Sequence, residues 1–223
     1  MRVAVVVFPG SNCDRDMHHV LSEFGMSPEY RWHEDGIPGG TDAVVLPGGF
    51  SYADRLRAGA IASHSPVMDD VRRLADDGVP VLGVCNGFQI LAEAGLLPGA
   101  LVSNDEPGFM CRWTEVVVGS TGTPFTSRFS GGDVLGIPVA NGEGRYHADE
   151  RTVRELEDAG RIVFRYAGDL NGSAGSIAGV CSEGGNVVGM MPHPERAAEP
   201  DVCPPGAAPM APLFESLRAA AAA

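Results

Sequence analysis

Val81-Leu82-Gly83-Val84-Cys85-Asn86-Gly87-Phe88-Gln89-Ile90-Leu91 carries the reading of the fold. An apolar run, predicted as a strand over Val79–Val84, gives way to a segment predicted as a helix over Phe88–Ala94 and closed by Gly95. Between them stands Gly-x-Cys-x-Gly, the pattern of a nucleophile elbow. Such a turn is so sharp that side chains two before and two after its centre would collide, so both positions must be small. It holds Cys85 at the carboxyl edge of a sheet and at a helix N-terminus, where the dipole favours a thiolate. The backbone N–H of Asn86 is then placed to bind a developing oxyanion. A buried structural cysteine is the competing explanation; the flanking glycines and the strand–turn–helix setting favour the nucleophile. The motif by itself fits amidases, esterases and peptidases alike.

Outward from the elbow, short apolar runs alternate with longer mixed segments. Strands are predicted over Arg2–Phe8, Glu29–Trp32 and Ala43–Leu46, the last ending at Pro47-Gly48-Gly49. Helices are predicted over Asp14–Phe24 and from Ser65-Pro66, with Ser65 as N-cap, to about Asp77. A less regular second half carries predicted strands over Arg112–Val118, Val134–Val139, Arg161–Tyr166, Ile177–Cys181 and Val187–Met191, and a helix over Glu150–Asp158. Pro200–Pro212 is predicted as a loop and Leu213–Arg218 as the start of a last helix, with the alanines beyond it expected to fray. The pattern predicts an α/β fold, a mostly parallel sheet covered by helices, in one domain spanning residues 1–223.

Composition narrows the function. A chain of 223 residues with 44% hydrophobic content can bury a large core without a metal or disulfide staple. A formal net charge of −13 argues against a nucleic-acid or anionic-membrane partner. All 16 basic residues are Arg, so the chain lacks the Lys of a Walker-type phosphate loop and any Schiff-base amine. Any ATP chemistry is therefore expected on another chain. The five cysteines (Cys13, Cys85, Cys111, Cys181 and Cys203) form no CxxC pair, and all but Cys85 are expected to be structural. The apolar run at the N-terminus is too short for a signal segment or a membrane span, and a cytoplasmic protein is expected.

Met191-Pro192-His193-Pro194-Glu195-Arg196 supplies the base. Residues before proline are pushed into extended geometry. Residues two apart in an extended chain point the same way, so His193 and Glu195 can project together from a strand end. That suits an imidazole whose second nitrogen is held by a carboxylate. His18 and His19 fall on a predicted helix, and His33, His64 and His147 in predicted loops without an evident partner. No pair of histidines has metal-ligand spacing, so no metal is expected.

The elbow, the Pro47-Gly48-Gly49-Phe50-Ser51-Tyr52 loop, Asn141-Gly142-Glu143-Gly144-Arg145-Tyr146 and the late Pro-His-Pro-Glu together resemble the class I, triad-type glutamine amidotransferases. Within them the resemblance is to the glutaminase subunits of phosphoribosylformylglycinamidine synthase, and it runs along essentially the whole chain. It implies a flavodoxin-like sheet and a triad of Cys85, His193 and Glu195. It implies an oxyanion hole from the Gly48-Gly49-Phe50 loop and Asn86, with Gln89 helping to hold glutamine. The stretch Asn104 to Arg112, including Phe109, resembles a second glutamine-binding wall. It further implies ammonia transfer to a large synthetase subunit, where ATP and Mg would act, and a small bridging subunit; this chain would carry no cofactor of its own. Ala53 and Arg55 depart from the family's Ser-Tyr-Gly-Asp-Tyr, and Ala53 would be strained at a positive φ. A stand-alone cysteine hydrolase on the same fold, a peptidase or γ-glutamyl hydrolase, is the alternative.

Overall fold

The computed structural model describes residues 1–220; the last three alanines of the tail expected to fray lie outside them. Its elements run β1 Arg2–Val7, α1 Asp14–Glu23, β2 Ser27–Trp32, β3 Ala43–Leu46, α2 Val67–Asp76, β4 Val81–Val84 and α3 Asn86–Glu93. There follow β5 Ala100–Val102, β6 Met110–Val118, β7 Val134–Asn141, β8 Arg145–His147, α4 Glu150–Asp158, β9 Ile162–Tyr166, β10 Ile177–Cys181, β11 Val187–Met190 and α5 Ala211–Ala220. Among the described residues no helix is long and apolar enough to cross a membrane.

Nine strands form one sheet in the order β2-β1-β3-β4-β11-β10-β9-β6-β7. The first five pair parallel, in the spatial order of a flavodoxin-like fold. Their central strands β3, β4 and β11 are buried at every position, as expected of strands covered on both faces. The other four continue the sheet antiparallel. This wing returns to the parallel half: the Pro138 carbonyl on β7 accepts the His193 amide at 2.9 Å. Strands β5 and β8 form a separate antiparallel pair that the sequence reading did not find. At three residues each they are too short to show a period.

Parallel strands all end at the same edge, so the loops after β1, β3, β4 and β11 meet there. The strand order places the β1 and β3 loops side by side, at the point where a flavodoxin-like sheet reverses its winding and opens a crevice. Two bonds lock these loops together: Phe50 N–H donates to Gly10 O at 2.9 Å, and Cys13 N–H to Gly48 O at 3.2 Å.

Most predicted elements lie within two residues of those observed. Two local expectations need correction. Ser65 is not a side-chain cap: Pro66 directly precedes α2, and the Ser65 hydroxyl lies 3.3 Å from the Tyr52 hydroxyl. His33, predicted in a loop without a partner, is buried with Nδ1 3.1 Å from the same phenol. Ala53 does sit at φ 56°, beside Tyr52, Asp54 and Leu56 at positive φ. A non-glycine residue there costs of order 1 kcal/mol or more.

The elbow's glycines are required by space. A Cβ on Gly83 would lie 2.7 Å from the backbone of Gly87, and one on Gly87 would run into the Leu46 carbonyl of β3. Gly87→Ala should therefore cost about 1–3 kcal/mol as overpacking. The melting temperature should drop by about 2–4 °C per kcal/mol lost. Gly131→Ala, with no atom within 4 Å of its added Cβ, should melt like the parent. Equal thermal midpoints for the two variants would show that the turn is not sterically closed.

Candidate active site

Cys85 joins β4 to α3 at φ 51° and ψ −107°, a conformation a side-chain-bearing residue adopts only under constraint. The constraint is visible on both sides. Its amide donates to Met190 O of β11 at 2.8 Å, and its thiol donates to Ala140 O of β7 at 3.7 Å. Asn86 opens α3, so the sulfur stands at the helix's positive end.

Strand β11 pairs in register with β4, Met190 opposite Val84. The residues that follow each strand therefore emerge at one rim, although more than a hundred residues separate them. His193 leaves β11 in extended geometry and leads into a 3-10 turn over Pro194–Arg196. Its Nδ1 lies 2.7 Å from Glu195 Oε1, and both side chains are buried. His193 Nε2 and Glu195 Oε2 have no hydrogen-bond partner. Gly48 is where the loops converge: a Cβ there would lie 2.8 Å from His193 Cε1, 3.0 Å from Cys13 Sγ and 3.4 Å from Cys85 Cβ. Burial, the largest single influence, pulls the His193 pKa down; the Glu195 carboxylate, with Cys85 and Cys13, outweighs it and holds the imidazole well above its ordinary value. A protonated imidazole beside a cysteine is the setting that favours a thiolate.

The residues expected to bind oxyanion and glutamine divide into three groups. Gly49 and Asn86 keep backbone N–H groups that donate to nothing else among the described residues, whereas the Phe50 N–H is already spent on Gly10 O. Gln89 and Asn104 are turned inward. Gln89 takes a bond from Asn86 Nδ2 (2.9 Å) and donates to Glu143 O (2.7 Å), while Asn86 Oδ1 accepts from Ser51 N–H (3.0 Å). Asn104 bonds Asn141, Gly144 and Asn171 and has no capacity left for a ligand. Its part is to hold the Asn141–Gly144 turn. Phe109 and Phe50 are both partly exposed, with ring centroids 6.0 Å apart. Arg112 is exposed on β6, its guanidinium 3.5 Å from Leu170 O.

Cys13 is the residue the sequence reading misplaced. It was expected to be structural; it lies with His193 and Glu195, the donor atoms of all three within 4.8 Å of one another. The available signal was topological, since a flavodoxin-like order puts the loop after β1 against the loop after β3. Tyr166 was also missed. Its hydroxyl is buried without a partner, and burial, with the charge of Cys85, raises its pKa.

The class of protein is given by family: the chain belongs to the CobB/CobQ-like glutamine amidotransferase domain family, whose match spans residues 1–218. Within it the relatives are specific. The chain is 56% identical over 200 residues to phosphoribosylformylglycinamidine synthase subunit PurQ of Rubrobacter xylanophilus, covering 90% of this chain and 91% of the relative. To the subunit of the same name from Alkaliphilus metalliredigens it is 53% identical over 200 residues, covering 89% and 88%. A chain in the structure of PurLQS from Thermotoga maritima superposes with a TM-score of 0.89 at 42% identity, covering 98% of each.

The elevated His193 pKa has a stability consequence. A group whose pKa is raised on folding stabilises fully below its unfolded value of about 6.5 and loses that contribution as pH rises through the folded value. Wild-type protein should therefore lose stability across that alkaline window. In Glu195→Gln the largest of the raising influences is removed against burial's downward pull, and this loss should shrink markedly. Urea midpoints measured from about pH 6 to pH 10 read it directly; an equally steep decline in the variant would exclude the pair as its source.

Proposed function

We infer that this chain is the glutaminase subunit of a phosphoribosylformylglycinamidine synthase in purine biosynthesis. It hydrolyses glutamine to glutamate and ammonia and delivers the ammonia to a synthetase subunit, which uses ATP to convert the formylglycinamide ribonucleotide amide to an amidine. Its relatives, alike over nine-tenths of both chains, support the assignment. The observation that carries the chemistry is the orphaned, buried Nε2 of His193 at the rim where Cys85 stands, its other nitrogen held by Glu195.

In the proposed mechanism the Cys85 thiolate attacks the side-chain amide carbon of glutamine. The oxyanion is bound by the N–H groups of Gly49 and Asn86, each donor supplying roughly 3–4 kcal/mol in the transition state. His193 gives its proton to the leaving nitrogen, and ammonia departs from a γ-glutamyl thioester. Nε2 then takes a proton from water, whose hydroxide adds to the thioester; the C–S bond breaks, the acid product gives its proton to the released ammonia and leaves as glutamate, and the thiolate and imidazolium are restored. Glu195 keeps the imidazole oriented throughout. Gln89 and Asn104 brace the walls, and Phe50 and Phe109 line the mouth.

The chain needs no cofactor for these steps; ATP and Mg are placed on the synthetase. The proposed partners are that large subunit and a small bridging subunit, and the Thermotoga maritima relative's place in a PurLQS structure supports such an assembly. The proposed compartment is the cytoplasm, in keeping with five free cysteines.

Cys85→Ser in the assembled synthase should lower glutamine-dependent amidine formation by about a thousandfold or more. Synthesis from added ammonium should be unchanged. Glutamine-dependent turnover that survives the substitution would reject Cys85 as the nucleophile.

A further inference from the structure

Arg196 stands beside a buried carboxylate and does not bond it. Its Nε is 4.0 Å from Glu195 Oε1, and Glu195 Oε2 has no partner at all. An arginine next to an unsatisfied carboxylate ordinarily closes into a bidentate pair, the strongest arrangement open to both. Here its donors go elsewhere. Nη2 donates to Cys13 Sγ at 3.1 Å, and Nε to Asp16 Oδ2 at 3.1 Å on α1. A thiol sulfur is a weak acceptor, so Nη2 takes a poorer partner than Glu195 would offer, while Nε takes the carboxylate of Asp16 in place of that of Glu195. The Arg196 side chain is 37% exposed. Arg196 borders an open groove of about 370 Å³, shared with Asp16, His19, Glu195, Glu199 and Val202.

The geometry points to Cys13 as a positioning residue. With Asp16 it tethers Arg196, so that Glu195 stays committed to His193 and is not captured by the guanidinium. This rests on the triad reading above. The groups facing the imidazole are Glu195 on its own turn, Cys85 at the start of α3 and Cys13 ahead of α1. Those facing Cys13 are His193, Glu195 and Arg196, and those facing Arg196 are Cys13, Glu195 and Asp16. The Tyr166 hydroxyl faces Cys85 in turn, and Arg196 is the only permanent cation among these groups. Cys13 is itself buried, and burial raises its thiol pKa, so it acts as a neutral acceptor and not as a second nucleophile. Its backbone belongs to the same device, through the Cys13 N–H bond to Gly48 O in the oxyanion loop.

The sign follows from electrostatics. If Arg196 closes on Glu195, the carboxylate's pull on His193 weakens and the imidazolium deprotonates at lower pH. The alkaline limb of kcat/KM for glutamine reports that loss. The test uses the assembled synthase at saturating acceptor and ATP, each pH normalised to the ammonium-dependent rate of the same complex. Cys13→Ala should move the alkaline limb down and cost several-fold at its high-pH end. Cys13→Ser, which keeps an acceptor, should restore it. Asp16→Asn, a surface change, should move it the same way by less. The double variant Cys13→Ala with Arg196→Met removes the cation and should return the limb toward wild type. A limb that does not move in folded Cys13→Ala, or in Asp16→Asn where Cys13→Ala does not fold, overturns the proposal. So does a double variant as displaced as the single one, because the thiol would then act on His193 directly. Cys85→Ser run alongside separates the two readings: glutamine turnover surviving there rejects the triad, whereas a static limb with Cys85 essential rejects only the tether.

Discussion

The parallel pairing of β4 with β11 is the constraint on which the rest depends. It sets Val84 opposite Met190 and ties Cys85 N–H to Met190 O, so Cys85 and His193, far apart in sequence, leave the sheet side by side. A one-residue slip would reverse the face of every side chain on the strand. Such a slip is resisted because both strands are buried on both faces and the elbow behind Cys85 admits no Cβ at Gly83 or Gly87. The site is therefore held by backbone pairing and crowding first, with side-chain bonds added afterwards. The positive φ of Cys85 is tolerable only in that frame, where strain of order 1–3 kcal/mol is overruled by the surrounding strands.

Much of this was legible in the sequence because it rests on local rules. Gly-x-Cys-x-Gly states a steric requirement, and Met-Pro-His-Pro-Glu states a backbone conformation. The apolar runs Ala43–Leu46 and Ile177–Cys181 state burial on both faces. What was not legible depends on where loops meet. Cys13 has nothing in its neighbours to mark it; only the strand order, which brings the loop after β1 against Gly48, gives it a place beside His193. Gln89 and Asn104 pose a different problem. Their amides suit a ligand or the protein equally well, and the choice was made by Glu143, Asn141 and Asn171 arriving from elsewhere in the chain. Tyr166 is the same problem in a strand, where alternation records that a position is buried but not what its hydroxyl faces.

The antiparallel wing has a chemical consequence as well as a structural one. Carbonyls of β7 reach the His193 amide and the Cys85 thiol, so the roof of the site is made from the far edge of the same sheet. An imidazole and a thiol closed in this way lose water and gain electrostatic leverage, since each charge interacts more strongly in a lower dielectric. The cost is that every polar atom in the chamber must be satisfied or left deliberately open. The amides of Asn86, Gln89, Asn104 and Asn171 take the first course and form a continuous bonded wall. His193 Nε2, Glu195 Oε2 and the Tyr166 hydroxyl take the second, with the N–H groups of Gly49 and Asn86, which bond nothing among the described residues.

That division separates scaffold from chemistry without reference to any relative. A buried donor or acceptor left unpaired costs about 1–3 kcal/mol, and a fold does not accumulate several at one rim unless something else completes them. The groups left open here are the second imidazole nitrogen, a carboxylate oxygen, the Tyr166 hydroxyl and two backbone donors. A trigonal amide turning tetrahedral at the Cys85 sulfur develops negative charge on its oxygen and needs a proton on its nitrogen. The two donors meet the first demand and the imidazole the second, while the carboxylate fixes the imidazole's tautomer. Arg196, the one cation close enough to upset the balance, is tethered away from Glu195 by Cys13 and Asp16. The two free amides and the imidazole thus correspond to what acyl transfer from an amide to a thiol requires, with Glu195 Oε2 and the Tyr166 hydroxyl open beside them.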